Sequence, residues 1–417
     1  MPTRPFNFVN QAGERLSGKL EVPAGPARSW ALFAHCFTCG KDNKAAVRIS
    51  RRLAGVGIGV LRFDFTGLGQ SDGSFGDTTF GLNVLDLVAA SEAMIAAGMT
   101  PSLVMGHSLG GAAVFAAAAH LPEVRAFATI GAPFAVEHVL THFDPGALEE
   151  IGRCGRASVA LGGRPFDVGA ALVDGLRNQD QGARLGRLRR PLLILHSPVD
   201  QVVGIENVTS IYLAAKHPKS FVSLDGADHL LSNPADADFA ADVIGTWASR
   251  YLPAAAPIEA AGYDAEAEET GLGRFQLAMR AGQANFIADE PESVGGLGSG
   301  PTPFNLLSAA LAACTTMTLR LHADAHGLPV DRIRTSVSHR KDGDPAHPDV
   351  FSRHIVIDGE IDEAQRGAML ASADRCPVHR TLERGSLFEA ASEEAPIRRE
   401  RDDLSAHSLA TTPQETR

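Results

Sequence analysis

The sequence has little with which to cross-link or anchor itself. Five cysteines stand in 417 residues, at 36, 39, 154, 314 and 376. They are too few and too scattered for a disulfide framework, so a cysteine that matters is expected to act by its reactivity. No run reaches the roughly 18 uninterrupted apolar residues of a membrane span. The start, Met-Pro-Thr-Arg-Pro-Phe-Asn-Phe, has no apolar segment behind a basic head. Both absences predict a soluble, cytoplasmic protein with no membrane partner. Positive charge is also short, with 38 Lys+Arg against 49 Asp+Glu and a net charge of −11, which disfavours nucleic acid as a partner. A single pair of cysteines at C-x-x-C spacing, Cys36 and Cys39, is only half of a zinc site, so zinc is not expected.

What is present is a chain too long for one core. Up to residue 253, short apolar runs such as Trp30–His35, Ile58–Asp64, Leu103–Gly106, Arg125–Ile130, Pro191–His196 and Phe221–Leu224 alternate with helical patterns. That alternation predicts an α/β domain with a mostly parallel sheet over 1–253. Residues 254–269, Ala/Pro-rich and then acidic, read as a linker without strand or helix pattern. From 270 to 400 strands and helices segregate, as in a smaller α+β domain: a hairpin over 274–288, an apolar helix over 304–325 whose middle should be buried, strands over 333–341 and 354–360, and a helix over 363–372. Residues 401–417 read as a disordered tail.

Two chemistries are encoded. The pattern G-x-S-x-G occurs as Gly106-His-Ser108-Leu-Gly110 and again as Gly69-Gln-Ser71-Asp-Gly73. Only Ser108 lies between an apolar strand and a small-residue helix, the strand–turn–helix in which a serine is presented as a nucleophile. A serine hydroxyl needs a histidine base and an orienting carboxylate. Asp200, where the apolar run Leu192–His196 passes into a loop, and His229, after the run 221–224, supply them in the order Ser, Asp, His. Asp228 adjoins His229 and would reach its ring poorly, and His107 reads as part of the serine turn rather than as the base.

By these residues, the first 253 positions resemble the α/β-hydrolase family of lipases, esterases and peptidases. The resemblance implies an ester or acyl substrate, and it implies that the amides of Phe37 and Leu109 hold the oxyanion. In His35-Cys36-Phe37-Thr38 a cysteine stands where many relatives carry glycine; the default reading of Cys36 and Cys39 is packing beside that loop, with a redox role as the alternative.

The second chemistry belongs to Cys314, within the apolar helix, and Cys376, just before Pro377 at a helix start, where unpaired amides favour a thiolate. Asp289-Glu-Pro-Glu-Ser-Val-Gly-Gly, Gly300-Pro-Thr-Pro-Phe, the small-residue run into Cys314 and Cys376-Pro-Val-His-Arg-Thr-Leu together resemble the OsmC family of osmotically inducible and organic hydroperoxide resistance proteins. That resemblance implies a thiol peroxidase working as a homodimer, with no metal or organic cofactor needed. Cys314 would attack an organic hydroperoxide, Cys376 would resolve the sulfenic acid as a disulfide, and a dithiol reductant would clear it. It also implies an arginine beside the thiolate, for which Arg274 and Arg280 are the candidates.

Overall fold

The computed structural model describes residues 3–25, 27–37, 39–161, 164–253, 263–270, 273–342 and 348–388. It divides into two compact units, Met1–Leu272 with Leu277–Ile287 and Gly273–Gln276 with Ala288–Arg417. The expected tail at 401–417, and residues 254–262 of the expected linker, lie outside the described residues.

The first unit is built on eight strands: β1 (Thr3–Pro5), β2 (Gly18–Glu21), β3 (Ser29–Ala34), β4 (Ile58–Phe63), β5 (Pro101–His107), β6 (Ala126–Ile130), and, after a hairpin of β7 (Arg156–Leu161) and β8 (Arg164–Gly169), β9 (Leu192–His196) and β10 (Lys219–Ser223). The sheet runs β1-β2-β4-β3-β5-β6-β9-β10. Its first two pairings are antiparallel and the others parallel. Because side chains alternate across a strand, β3 sends Ala31 and Phe33 into a layer with Ile49, Leu53 and Ile244. Leu32 and Ala34 go into the opposite layer with Leu87 and Ala113. The first layer is covered by α1 (Lys44–Gly55) and α8 (Pro234–Ala248), the second by α2 (Phe80–Ala96) and α3 (Leu109–Ala117). Strands buried on both faces read as the continuous apolar runs of the sequence.

Between β6 and β9 stand α4 (Pro145–Cys154), the β7–β8 hairpin, α5 (Ala170–Arg177) and α6 (Gln181–Leu188); α7 (Glu206–Ala214) follows β9. His138 and Val139, before α4, and Ala160 and Phe166 of the β7–β8 hairpin line a cavity shared with the ends of β5 and β3. One departure from expectation follows β10. The acidic segment read as linker contains a strand, β11 (Ala265–Glu269), paired with β12 (Leu277–Ala281), which pairs in turn with β13 (Ala284–Ala288). All five residues of β11 are exposed, so burial imposed no apolar alternation for the sequence to display.

In the second unit, α9 (Pro303–Ala325) starts with Pro303 behind a capping box of Thr302 and Asn305. It packs on β14 (Val330–Lys341), which pairs antiparallel with β15 (Asp349–Gly359), and α10 (Glu363–Ser372) and α11 (Pro377–Arg384) pack on α9 in turn. Leu311, Thr315, Leu319 and Ala323 of α9 are buried, a period-four stripe that packs one face. The expectation of a wholly buried middle is not met: Cys314 is half-buried, and Met317 and Leu321 are 66% and 70% exposed. Among the described residues, α9 is the one helix long and apolar enough to cross a membrane, a feature that a search for uninterrupted apolar runs passes over because Arg320, His322 and Asp324 interrupt it.

A buried ion pair ties the loops at one end of β3 and β4. Asp64 accepts from the Lys41 amide (2.6 Å), Lys41 Nζ (2.5 Å) and the Gln70 amide (2.9 Å), and both charged side chains are 2% exposed. Burial pushes the Asp64 carboxyl up, but the Lys41 ammonium and the two amides outweigh it and hold it below the ordinary range. Breaking a buried pair from one side costs about 3–5 kcal/mol, because a charge is left unpaired. Asp64→Asn should therefore lower the unfolding free energy of the first unit, obtained from urea titration, by an amount in that range, and Lys41→Met with Asp64→Leu should cost less than the single change. Both tryptophans, Trp30 and Trp247, lie in this unit, so their fluorescence reports its unfolding selectively.

Candidate active sites

Ser108 joins β5 to α3 with φ 55° and ψ −125°, a left-handed conformation that a non-glycine residue adopts only where its surroundings enforce it. Here they do. A Cβ on Gly106 would lie 2.4 Å from the Gly110 carbonyl, and one on Gly110 would lie 2.4 Å from the carbonyls of both Ala34 and His35. Glycine at both positions lets α3 descend onto the ends of β5 and β3. The second G-x-S-x-G serves structure: Ser71 Oγ donates to the Asp64 carbonyl (2.5 Å) and accepts from the Ser17 amide (2.9 Å).

The three residues expected to act together are brought together. His229 Nε2 lies 2.9 Å from Ser108 Oγ, and His229 Nδ1 lies 2.7 Å from Asp200 Oδ2. The other oxygen of Asp200 accepts from the amides of Val202 (2.8 Å) and Val203 (2.9 Å). Burial pushes the Asp200 carboxyl up, but the His229 hydrogen bond and these amides prevail, so it sits below the ordinary carboxylate range and stays ionised. With Asp200 accepting at Nδ1–H, Nε2 of a neutral His229 is left to accept the Ser108 proton. Asp228 is occupied locally, accepting from the Ser232 amide (2.7 Å).

Three further histidines hold the backbone around this line, and the sequence reading did not assign them that work. His107 Nε2 donates to the His229 carbonyl (2.7 Å), His196 Nε2 to the Val203 carbonyl (2.7 Å), and His35 Nδ1 to the Cys36 carbonyl (2.7 Å). Burial lowers the pKa of all three, that of His107 to about 4. Each stands at or just past the carboxyl end of a strand, β5, β9 or β3, and that position was the available signal.

Phe37 and Leu109 border a cavity of about 720 Å³ together with Ser108 and His229. Its apolar walls include Leu68, Val139, Phe166 and Leu230. Cys36 and Cys39, read as packing residues, also line it and are joined by a disulfide, with Cα atoms 5.2 Å apart. Cys36 is not among the residues with positive φ, so its Cβ is accepted without a left-handed backbone.

In the second unit Cys376 caps α11 and is fully buried, its sulfur accepting from the His379 amide (3.5 Å). Burial pushes its thiol up, but donors outweigh it, the Cys314 thiol first and the His379 amide next, and hold it below the usual thiol range. Cys314 is pushed up, by burial and then by the hydrogen bond it makes to Cys376. The two directions agree in polarity: Cys314 is the donor of the pair, and Cys376 is the more acidic of the two thiols. Arg280 is bound to Glu266 (2.7 Å) beside β12, and Arg274 lies over the Phe275 ring, 5.2 Å from its centre. Among the described residues no group of three or more His, Cys, Asp or Glu could hold a metal ion.

Comparison with known proteins matches the parts separately. The family model described as serine aminopeptidase, S33 matches residues 40–161, and that of OsmC-like protein matches 296–390. The solved esterase domain of a Rhodothermus marinus protein is 48% identical, covers 60% of this chain and 99% of its own, and superposes with a TM-score of 0.51. Est1E of Butyrivibrio proteoclasticus, solved with ferulic acid, is 20% identical over 58% of this chain and 98% of its own, with a TM-score of 0.52, a likeness of fold. The mitochondrial palmitoyl-protein thioesterase ABHD10 of Rattus norvegicus is 32% identical over 118 residues, 27% of this chain and 36% of that protein, so the match spans about a third of the curated relative. The chain thus belongs to the α/β-hydrolase family in its first unit, while residues 296–390 match the OsmC-like family model.

Proposed function

We propose that this chain is a bifunctional enzyme, a serine esterase acting on small and medium acyl esters and a thiol peroxidase acting on organic hydroperoxides. The observation that carries the first half is the hydrogen-bonded line from Ser108 through His229 to Asp200 at the floor of an apolar cavity. As Ser108 Oγ attacks the ester carbonyl, its proton passes to His229 Nε2, and the imidazolium is stabilised by the ionised Asp200. The Phe37 and Leu109 amides take the oxyanion, His229 returns the proton to the departing alcohol, and water repeats the cycle on the acyl-enzyme. The Rhodothermus esterase domain supports this choice of substrate class.

For the second half, the contact between Cys314 and Cys376 supports a peroxidatic and resolving pair. The half-exposed Cys314 passes its proton to the Cys376 thiolate and attacks the terminal oxygen of R–O–OH. The O–O bond breaks, R–OH leaves and Cys314 becomes a sulfenic acid. The proton taken by Cys376 goes to the departing alkoxide, and Cys376, again an anion, displaces hydroxide from that sulfur. The hydroxide takes a proton from solvent, so that a thiol, a thiolate, a proton and one hydroperoxide have become a disulfide, an alcohol and water. A dithiol reductant restores the pair. The same domain is proposed to pair with a second copy through α9, whose exposed Met317 and Leu321 form an apolar face.

Three outcomes are expected. Ser108→Ala should lower p-nitrophenyl acetate hydrolysis by at least about 1000-fold and leave consumption of cumene hydroperoxide intact; loss of both activities in a folded variant would defeat the assignment to separate sites. Cys376→Ser treated with one equivalent of hydroperoxide should carry a dimedone adduct on Cys314, seen by peptide mass spectrometry, and Cys314→Ser should consume no peroxide. An adduct on Cys376 in Cys314→Ser would reverse the two roles. Leu321→Glu should sediment as a monomer where the unaltered chain sediments as a dimer; an unaltered chain that is monomeric at micromolar concentration would remove pairing from the proposal.

A further inference from the structure

The Cys36–Cys39 disulfide sits on the peptide unit that the esterase reading makes half of its oxyanion hole. In a trans peptide, C=O and N–H point in opposite directions, so whatever holds the Cys36 carbonyl also aims the Phe37 N–H. Two donors hold that carbonyl: His35 Nδ1–H at 2.7 Å and the Cys39 amide at 3.1 Å. Burial keeps His35 neutral. With the proton on Nδ1, its Nε2 is free to accept from the Phe65 amide, which lies 3.4 Å away, so the imidazole is fixed from both ends. The disulfide closes the same short turn and thereby fixes where the Cys39 amide stands. Asn43 Nδ2 approaches Cys39 Sγ at 3.8 Å from the cap of α1. The Phe37 ring packs on Phe75, with centres 5.4 Å apart, and both Cys36 and Cys39 face the cavity that holds Ser108.

We infer that Cys36 and Cys39, with His35, are positioning residues for the esterase reaction: their disulfide locks the Cys36–Phe37 peptide with its N–H toward the oxyanion, and cleavage of the disulfide by a dithiol loosens the hole. Cleavage is an exchange in which the dithiol's two sulfurs are oxidised to a disulfide and the Cys36–Cys39 bond takes up their two electrons and two protons. An oxyanion donor acts in the transition state more than in the bound ester. The reduced enzyme therefore loses kcat while KM is nearly kept, which loss of ester binding would not produce, and unchanged fluorescence of Trp30 and Trp247 excludes loss of fold. The inference rests on the esterase reading, and its test separates the two.

The test uses the full chain with Cys154→Ser, Cys314→Ser and Cys376→Ser, in which only Cys36 and Cys39 can respond. Hydrolysis of p-nitrophenyl acetate is measured before dithiothreitol, after it has released two thiols per chain, and after reoxidation with oxidised glutathione. Since deleting one oxyanion donor outright costs about 100–1000-fold in kcat, loosening one is expected to cost at least about tenfold, reversibly and with KM changed less than about twofold. In the same background, Cys36→Ala with Cys39→Ala should match the reduced enzyme and ignore dithiothreitol. His35→Gln, which retains an N–H donor, should keep more kcat than His35→Leu at similar KM. A kcat unchanged by quantitative reduction would overturn the inference while leaving the esterase standing. No hydrolysis by the oxidised enzyme, with no labelling of Ser108 by a fluorophosphonate, would instead overturn the esterase reading.

Discussion

The approach of α3 to the end of β3 is the contact on which the hydrolytic site depends. Helix and strand meet backbone to backbone at Gly110, where a Cβ would lie 2.4 Å from two carbonyl oxygens. This closeness lets one short turn hold Ser108 at positive φ and brings the Leu109 amide beside the loop that carries Phe37. Alanine at 110 would force the helix away from the strand, and the two amides proposed for the oxyanion would separate even though neither residue had changed. Pre-organised donors act strongly because nothing has to move as charge develops, so the shape of this contact is already part of the chemistry.

The rest of the line is held by unlike means. Asp200 is fixed by two amides on one oxygen and His229 on the other, a distribution that keeps it charged despite burial. A carboxylate so satisfied orients the imidazole and stabilises its cation without taking its proton. In the second unit the same balance divides two like groups: the amide at the start of α11 and the Cys314 thiol stabilise the anion on Cys376, and Cys314 keeps its proton until a stronger demand arises. Acidity and access are therefore separated, the acidic sulfur being buried and the accessible one protonated.

Much of this was legible in the sequence, and what was not has identifiable causes. The strands of the large sheet were visible because both their faces are buried, and Ser108 was distinguished from Ser71 because only one of them follows such a strand into a helix. The order of Ser108, Asp200 and His229 followed from the loops that end apolar runs. β11 was hidden because a strand exposed at every residue has no face to mark. The half-exposure of α9 was hidden because an apolar helix reads as buried whether its second face meets its own chain or none. The Cys36–Cys39 disulfide was weighed only as a redox alternative to packing, since C-x-x-C spacing permits a bond without requiring one.

The buried histidines extend the argument from geometry to pH. His35, His107 and His196 each use one ring N–H to fix a carbonyl near the site, and each does so as a neutral ring whose pKa burial has lowered. A histidine whose pKa is lowered in the fold binds its proton more readily in the unfolded chain. Its contribution to stability is therefore present above the unfolded value of 6.5 and declines as pH falls below it, down to about 4 for His107. Protonation would put a second N–H on His196 Nδ1, which is buried without a partner, and on His35 Nε2, which already faces the Phe65 amide. The carbonyls that position Phe37, His229 and Val203 are thus tied to one requirement, that these rings stay neutral.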